Sequence, residues 1–438
     1  MNLNYNKVKL HTLGCKVNQY ETEAISEIFE ESGYEVVEEE FADIYVINTC
    51  TVTSLSDSKS RQMIRKFKRI NPQSTVVVMG CYSQVADKDV EKIESVDVII
   101  GTTERNEIVN LVEEFQTTGQ RINIVRDITG DNTFQPIDIT NLRDMTRAYL
   151  KVQDGCNRFC SYCIIPYARG NIRSRDPEDV RAEVIKLSEN GYQEVILTGI
   201  HIASYGKDKD NLNLINLIES IHDVEGISRI RLSSVEPRLI TEEFLISLKN
   251  FPKFCDHFHL SLQSGSNTVL KRMNRKYTRE EYLEKVELIR KFYPNAGITT
   301  DIIVGFPGET EDEFQETLDL VKKVKFSRVH IFKYSKRKGT PAAEMTDQVH
   351  GDIKNERSKI LFELTNRLKE EFESSFIGRA LSVLVERKIE DNYYGHTSNY
   401  MEITFNSARD CINDIVEVEM TEYKDDKLFG KMKGEYHE

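Results

Sequence analysis

Apolar residues along this chain fall into short runs, separated by longer stretches with helical spacing. Lys7 to Leu13 alternates apolar and polar positions and runs into Gly14-Cys15. Helical periodicity follows from Glu21 to Ser32 and stops at Gly33. Ala42 to Asn48 reads as a second strand and runs into Thr49-Cys50. A basic helix is predicted from Ser56 to Ile70, ending at Asn71-Pro72. Thr75 to Met79 is a continuous β-branched run, as in a parallel strand buried on both faces, and ends in Gly80-Cys81. Val96 to Ile100 is the fourth strand. Alternation at this period predicts a small doubly wound parallel sheet over residues 1–120. The polar stretch from about 120 to 145, with Thr129-Gly130-Asp131-Asn132 and Pro136, reads as a linker.

The alternation resumes over residues 142–372. Tyr149–Gln153, Glu194–Thr198, Arg229–Ser233, His257–Leu262, Thr299–Val304 and Arg328–Phe332 read as strands, with amphipathic helices between them. Six such units exceed a flavodoxin-like sheet and fall short of an eight-fold barrel, so a partial (β/α)6 barrel is predicted. A long charged helix, Gly351 to Ser374, precedes Gly378. Short alternating segments then run to the end: Leu381–Glu386, Tyr394–Thr397, Tyr400–Phe405, Ile415–Met420 and Leu428–Lys433. They predict a small β-barrel over residues 375–438. The fold class is thus α/β, with three domains, which suits a length of 438 residues.

Composition narrows the classes. No apolar run reaches spanning length, and Met1 to Tyr5 has no apolar signal core. With only 8 cysteines, a reduced, soluble, cytoplasmic protein is expected. The formal net charge of −13 excludes a uniformly basic surface but leaves room for local basic tracks.

The cysteines carry the candidate chemistry. Cys156, Cys160 and Cys163 lie within eight residues, just after the first barrel strand, and no fourth cysteine follows until Cys255. A cubane iron–sulfur cluster usually takes four thiolates. Three would leave one iron open to a small molecule, as a catalytic zinc keeps an open position. Structural zinc would call for a second Cys/His pair, which is missing here. Cys15, Cys50 and Cys81 each follow a predicted strand. In a parallel sheet all carboxyl ends lie on one edge, so the three can meet there as a second metal site. The alternative is three buried cysteines packing as small apolar residues.

The Cys-x3-Cys-x2-Cys motif with Tyr162 before its last cysteine resembles the radical S-adenosylmethionine (SAM) superfamily. The wider stretch, Gln153-Asp154-Gly155-Cys156 and Cys163-Ile164-Ile165-Pro166-Tyr167-Ala168-Arg169-Gly170, is similar to the methylthiotransferases within it. His11 to Gln19, Asn48 to Thr53 and Met79 to Gln84 resemble the three cysteine motifs of that family's N-terminal domain. The resemblance implies two [4Fe-4S] clusters, one on Cys156, Cys160 and Cys163 and an auxiliary one on Cys15, Cys50 and Cys81. It implies that SAM chelates the open iron of the first, with Tyr162 near the adenine. Thr198 and Gly199 would meet the SAM amino group, Glu236 or Gln263 a ribose hydroxyl, and Ser233 and Gly305 would stand at ligand-facing strand ends. Gly305-Phe306-Pro307-Gly308 also reads as a tight turn before a helix capped by Thr310, with Glu313 at capping-box spacing. His201, His257 and His259 read as packing or hydrogen-bonding residues, and Cys255 and Cys411 as unligated.

The family's small barrel is the RNA-binding TRAM domain. Here acidic residues outnumber basic ones from Ile377 to Glu438. Arg379, Arg387 and Lys388 are its candidate RNA contacts. Basic residues interleave with aromatics at Lys325–Lys338, and two more basic runs lie at Lys271–Arg279 and Lys59–Arg69. Rings for bases and cations for phosphates suit single-stranded RNA; a solvated basic face is the alternative. Leu13-Gly14-Cys15-Lys16-Val17-Asn18-Gln19 resembles the branch acting on N6-threonylcarbamoyladenosine (t6A) of tRNA. Relatives acting on isopentenyladenosine, or on a ribosomal-protein aspartate, differ at this place. The implied reaction adds a methylthio group at C2 of the adenine through a SAM-derived radical, because that C–H has no acidic proton and no leaving group. The implied partners are the tRNA anticodon loop and an electron donor such as flavodoxin or ferredoxin. Two readings from other classes are a radical SAM enzyme acting on a protein side chain, as the ribosomal-protein relatives do, and a zinc-loaded, non-catalytic RNA-binding protein.

Overall fold

The computed structural model describes residues 7–137 and 146–434. The first layer is a six-stranded parallel sheet. Its strands are β1 (Lys7–Thr12), β2 (Glu35–Val36), β3 (Ile44–Thr49), β4 (Thr75–Gly80), β5 (Val98–Ile99) and β6 (Ile122–Asn123), in the order β2-β1-β3-β4-β5-β6. The period-two pattern feeds two cores. Ile44, Val46, Val77 and Met79 pack against Ile25, Phe29 and Val112 on one face. Tyr45, Ile47, Val76 and Val78 pack against Ile64, Phe67 and Val90 on the other. Two-sided burial is why these strands read as continuous apolar runs.

Two local expectations shift. The first helix begins at Lys16, not Glu21, and runs to Glu31 with Cys15 as its N-cap. Its first turn carries Lys16, Asn18 and Gln19, which hide the apolar periodicity. Residues read as linker supply β6, which is only two residues long and leaves no pattern to detect. Residues 138–145 of the expected linker lie outside the described residues.

The second unit has parallel strands β7 (Arg147–Asp154), β9 (Glu194–Gly199), β10 (Arg229–Leu232), β11 (His257–His259), β12 (Gly297–Val304) and β13 (Arg328–Lys333). They form two sheets, β10-β9-β7-β8 and β11-β12-β13, where β8 (Arg173–Ser174) is a short antiparallel addition to β7. Bridges Ile230–Phe254 and Val235–Leu260 join the sheets into one curved wall. This is the expected partial barrel. The fourth strand ends at His259 and not at Leu262. Gln263 then takes φ +72°, which takes the chain out of extended geometry. Thr310 and Glu313 form the expected capping box.

The Gly351–Ser374 helix covers the outer strand β13 and leads to a closed barrel. Its strands are β14 (Ala380–Ile389), β15 (Asn392–Thr397), β16 (Glu402–Asn406), β17 (Ile415–Lys424) and β18 (Lys427–Met432). This barrel docks through two buried arginines of β10. Arg229 donates to the carbonyls of His396 (2.8 Å) and Ser382 (2.7 Å). Arg231 donates to those of Ser398 (2.8 Å) and Thr397 (3.2 Å), and its Nε to Glu194 at 2.6 Å. Burial pushes the Glu194 carboxyl up, but Arg231 overrides this and brings it down to about 2.

Breaking a buried pair strands the remaining charge, so Arg231→Leu should destabilise the protein by about 3–5 kcal/mol, read as a lower urea midpoint. Glu194 has a depressed folded pKa, so its contribution is present above its unfolded value of 4.5 and lost as pH falls toward 2. Glu194→Gln should flatten the pH dependence of the urea midpoint in that window.

Candidate active site

The strand order places the first cysteine trio. In a sheet ordered 2-1-3-4-5 the chain direction switches between β1 and β3, and a crevice opens at their carboxyl ends. Cys15 follows β1, Cys50 follows β3, and Cys81 follows β4 as the first residue of a short helix, Cys81–Val85. Gly14 adopts φ +120°, and a Cβ there would stand 2.8 Å from Cys50 Cβ and 3.1 Å from its Sγ. Only glycine allows that approach. Burial raises the Cys50 thiol pKa and pushes Cys81 up to about 12.

The second trio lies in the loop after β7. Gly155, at φ +72°, passes so close to the Asn171 carbonyl that a Cβ would meet its oxygen at 1.7 Å. Neighbouring loops hold the rest: Ser161 N donates to Met273 O (3.0 Å), Ala342 N to Ser161 O (2.8 Å), and Asn274 Nδ2 to Phe159 O (2.9 Å). Burial pushes Cys156 up to about 11 and Cys163 to about 12.

Each trio receives one arginine. Arg169 Nε donates to Cys81 Sγ at 3.2 Å, and its Nη2 to Asn18 Oδ1 at 3.0 Å; that same oxygen accepts from Cys15 Sγ at 3.6 Å. Arg275 Nη1 donates to Cys160 Sγ at 3.5 Å. Arg169 ends the short Ile165–Arg169 helix that begins two residues after Cys163. It therefore ties the second cysteine loop to the first trio. Beneath it lies a buried charge cluster. Glu21 is ion-paired with Arg105 (2.5 Å), Lys151 (2.8 Å) and Arg169, and Asp154 with Lys151 (2.5 Å). Burial alone would raise the Glu21 carboxyl, but Arg105, Arg169 and Lys151 hold it well below the usual range.

Both trios border one cavity of about 1080 Å³, lined by Cys15, Cys156 and Cys163 among others. Cys50, Cys81 and Cys160 are buried behind them. Tyr162, Thr198, Gly199, Ser233 and Gln263 also line it. Glu236 and Gly305 do not. Glu236 pairs with Arg158 in a separate depression that also holds Lys207 and Arg238. A Cβ on Gly305 would meet the Lys354 side chain, and its N–H donates to Glu309 at 2.6 Å. His257 and His259 bond Thr299 and Asp301, and His201 bonds Ser204, so all three have the expected hydrogen-bonding partners. Cys255 and Cys411 are buried outside the cavity.

All eight cysteines are free thiols. Among the described residues no three Cys, His, Asp or Glu side chains converge as one ion would require. A cubane asks for something else, with each thiolate on its own iron, so the donors stand apart. Two sets of three thiols, each with an arginine donor and facing a common cavity, fit that requirement.

Similar proteins narrow the chemistry. The radical SAM superfamily model matches residues 150–321, and the model of the uncharacterized protein family UPF0004 matches residues 7–101. Two relatives named threonylcarbamoyladenosine tRNA methylthiotransferase MtaB, from Bacillus subtilis (strain 168) and Aquifex aeolicus (strain VF5), are 45% and 43% identical. They match 94% and 91% of this chain, and 93% and 96% of their own length. This chain belongs to the radical SAM methylthiotransferase family. Another member, the tRNA-2-methylthio-N(6)-dimethylallyladenosine synthase of Natranaerobius thermophilus, is 39% identical over 96% of this chain and 95% of its own. The fold also resembles the radical SAM methyltransferase TsrM of Kitasatospora setae (TM-score 0.56, 17% identity, 77% of each chain covered), a structure with cobalamin and a [4Fe-4S] cluster bound.

Several site residues of this methylthiotransferase escaped residue-by-residue reading. Asp154, Arg169 and Asn18 sit inside the cysteine-motif segments, so proximity was their only signal. Arg275 belongs to the Lys271–Arg279 run, for which RNA contact or a solvated basic face are the readings. Glu21, Arg105 and Lys151 carried no signal, because their meeting is purely tertiary. Arg169→Leu should cost about 3–5 kcal/mol by stranding Glu21. It should also lower iron and sulfide content, and Arg169→Lys should restore part of both, measured by urea unfolding and metal analysis.

Proposed function

We propose that this chain methylthiolates t6A in tRNA, on the adenosine adjacent to the anticodon, giving 2-methylthio-t6A. The match to the two MtaB relatives over nine-tenths of the chain carries the reading. The Gly14-Cys15-Lys16-Val17-Asn18 motif supports the t6A branch. The dimethylallyladenosine synthases, at 39% identity, support isopentenyladenosine as a second reading.

In this reading Cys156, Cys160 and Cys163 hold one [4Fe-4S] cluster and Cys15, Cys50 and Cys81 the other. Bound there, the first would supply one electron for reductive cleavage of SAM to methionine and a 5′-deoxyadenosyl radical, and the second would supply sulfur. The chain's own residues orient and shield. Tyr162 and Tyr334 line the cavity, and Tyr162 packs against the cluster that holds Phe306 and Tyr334. Thr198, Gly199, Ser233 and Gln263 offer hydroxyl, amide and main-chain groups along the strand ends. Glu236 and Gly305 lie off the cavity lining: Glu236 pairs with Arg158, and Gly305 packs against Lys354. Because the trios border one cavity, a substrate between them meets radical and sulfur without leaving the site, which converts two encounters into one bound geometry.

The domains are residues 1–120 for the auxiliary cluster, 142–372 for the radical SAM core and 375–438 for the TRAM barrel. The tRNA anticodon loop is the macromolecular partner, and flavodoxin or ferredoxin the class of electron donor. No helix among the described residues is long and apolar enough to cross a membrane. A tRNA substrate supports a cytoplasmic location.

Mass spectrometry of tRNA nucleosides tests this. Cells lacking the gene should lose 2-methylthio-t6A and accumulate t6A. An unchanged t6A pool with loss of methylthiolated isopentenyladenosine would establish the second reading instead. Cys160→Ala should abolish 5′-deoxyadenosine formation. Cys50→Ala should retain it and lose thiolation; full thiolation by that variant would remove the sulfur-donor role from the first trio.

A further inference from the structure

One wall of the cavity holds positive charge that the cysteine chemistry does not use. Lys16 lies in the first turn of the Lys16–Glu31 helix and lines the cavity beside Cys15. Its ammonium stands 5.4 Å from the centre of the Tyr149 ring, and no hydrogen bond or ion pair engages it among the described residues. The buried cations around it are all matched. Lys151, Arg105 and Arg169 share Glu21, Arg147 pairs with Glu386 at 3.0 Å, and Arg231 with Glu194 at 2.6 Å. Arg328 on β13 lines the same cavity and likewise has no ion pair among the described residues. The carboxylates on this lining are Glu23 and Asp301, and His259 holds Asp301 at 3.1 Å.

Lys16 from the first helix and Arg328 from β13 line the same cavity, together with His330. Burial lowers the His330 pKa, and the positive charge of Arg328 and Lys16 adds to that lowering. Beyond them the cavity meets a second groove of about 970 Å³ between β13, the Gly351–Ser374 helix and the C-terminal barrel. Arg328, His330, Phe332 and Tyr400 line both spaces. Tyr400 holds φ +72°, a strained conformation for a tyrosine, with its ring stacked 4.5 Å from His257. Arg328 therefore stands where the groove opens into the cavity, and Lys16 lines the cavity side.

A partly buried ammonium without a counter-ion is unfavourable unless an anion arrives with the ligand. We infer that Lys16, assisted by Arg328, receives the carboxylate of the adenosine substituent and thereby selects the substrate. This rests on the t6A reading. The threonyl group of t6A carries a carboxylate at neutral pH, whereas an isopentenyl group is wholly apolar. A cation awaiting a partner attracts the first and is left desolvated by the second, so one residue supplies both sides of the discrimination. SAM brings the other carboxylate in the reaction, and the experiment separates the two.

The test uses the full-length, cluster-loaded protein without reductant, so that nothing turns over. Three anticodon stem-loops differ only in the target adenosine: t6A, isopentenyladenosine or unmodified adenosine. Wild type should bind the t6A RNA about tenfold or more tighter than the unmodified RNA, equal to about 1.4 kcal/mol. Lys16→Met should lose most of that ratio while its affinity for unmodified RNA stays put. Lys16→Arg should keep most of it, and Arg328→Met should lose a smaller part. A wild-type ratio in Lys16→Met overturns the assignment. So does equal weakening on all three RNAs, which marks a phosphate contact, or weaker SAM binding with the RNA ratio intact, which gives the carboxylate to SAM. If Lys16→Met fails to hold its iron, Lys16→Gln and Arg328→Met decide, and unchanged ratios in both overturn it. A wild type that prefers isopentenyladenosine removes the t6A reading itself and the carboxylate with it. That failure shows in wild type alone, before any variant is made.

Discussion

Six charged side chains buried between the six-stranded parallel sheet and the partial barrel set the arrangement on which the rest of the protein depends. Glu21 from the first helix, Arg105 from the end of the parallel sheet, and Lys151, Asp154, Arg169 and Arg173 from the barrel meet in one cluster. Burying any of these charges alone would be prohibitive, and together they satisfy one another only in a single relative orientation. Apolar surfaces can slide with little penalty. A cluster of ion pairs whose carboxylates are shared among three cations cannot, because every displacement strands a charge. Arg169 reaches onward from this cluster to Cys81, so the same contacts that dock the domains also place the first cysteine trio against the second.

The trios themselves follow from a simpler rule. Parallel strands present their carboxyl ends on one edge, and a curved parallel wall presents them on one rim. Joining the two edges face to face makes a shared cavity between them. The order β2-β1-β3-β4 puts Cys15 and Cys50 on either side of the switch point, which is why residues far apart in sequence come together. The glycines at 14 and 155 then decide how closely the loops pack. The C-terminal barrel completes the enclosure by bringing Tyr400 to the cavity wall through the carbonyls that Arg229 and Arg231 hold.

The sequence by itself determined the chemistry and the class of fold. Cysteine spacing is local, so Cys156, Cys160 and Cys163 were legible as a cluster motif. Strand periodicity is also local, so the parallel sheet, the partial barrel and the terminal barrel were legible, along with the cysteines at their strand ends. Short elements were not: β6 and β8 have two residues each, too few for a period. What only the tertiary structure decided were meetings between distant side chains. Glu21 reads as an ordinary helix-surface residue until Arg105, Lys151 and Arg169 surround it. Glu236 and Gly305 sit in motif-like strand ends, yet their neighbours turn them toward Arg158 and Lys354. Lys16 sits in a motif legible along the chain, but that no ion pair or hydrogen bond engages it among the described residues is visible only in space. Periodicity and spacing report on neighbours along the chain, whereas charge pairing and cavity lining depend on neighbours in space.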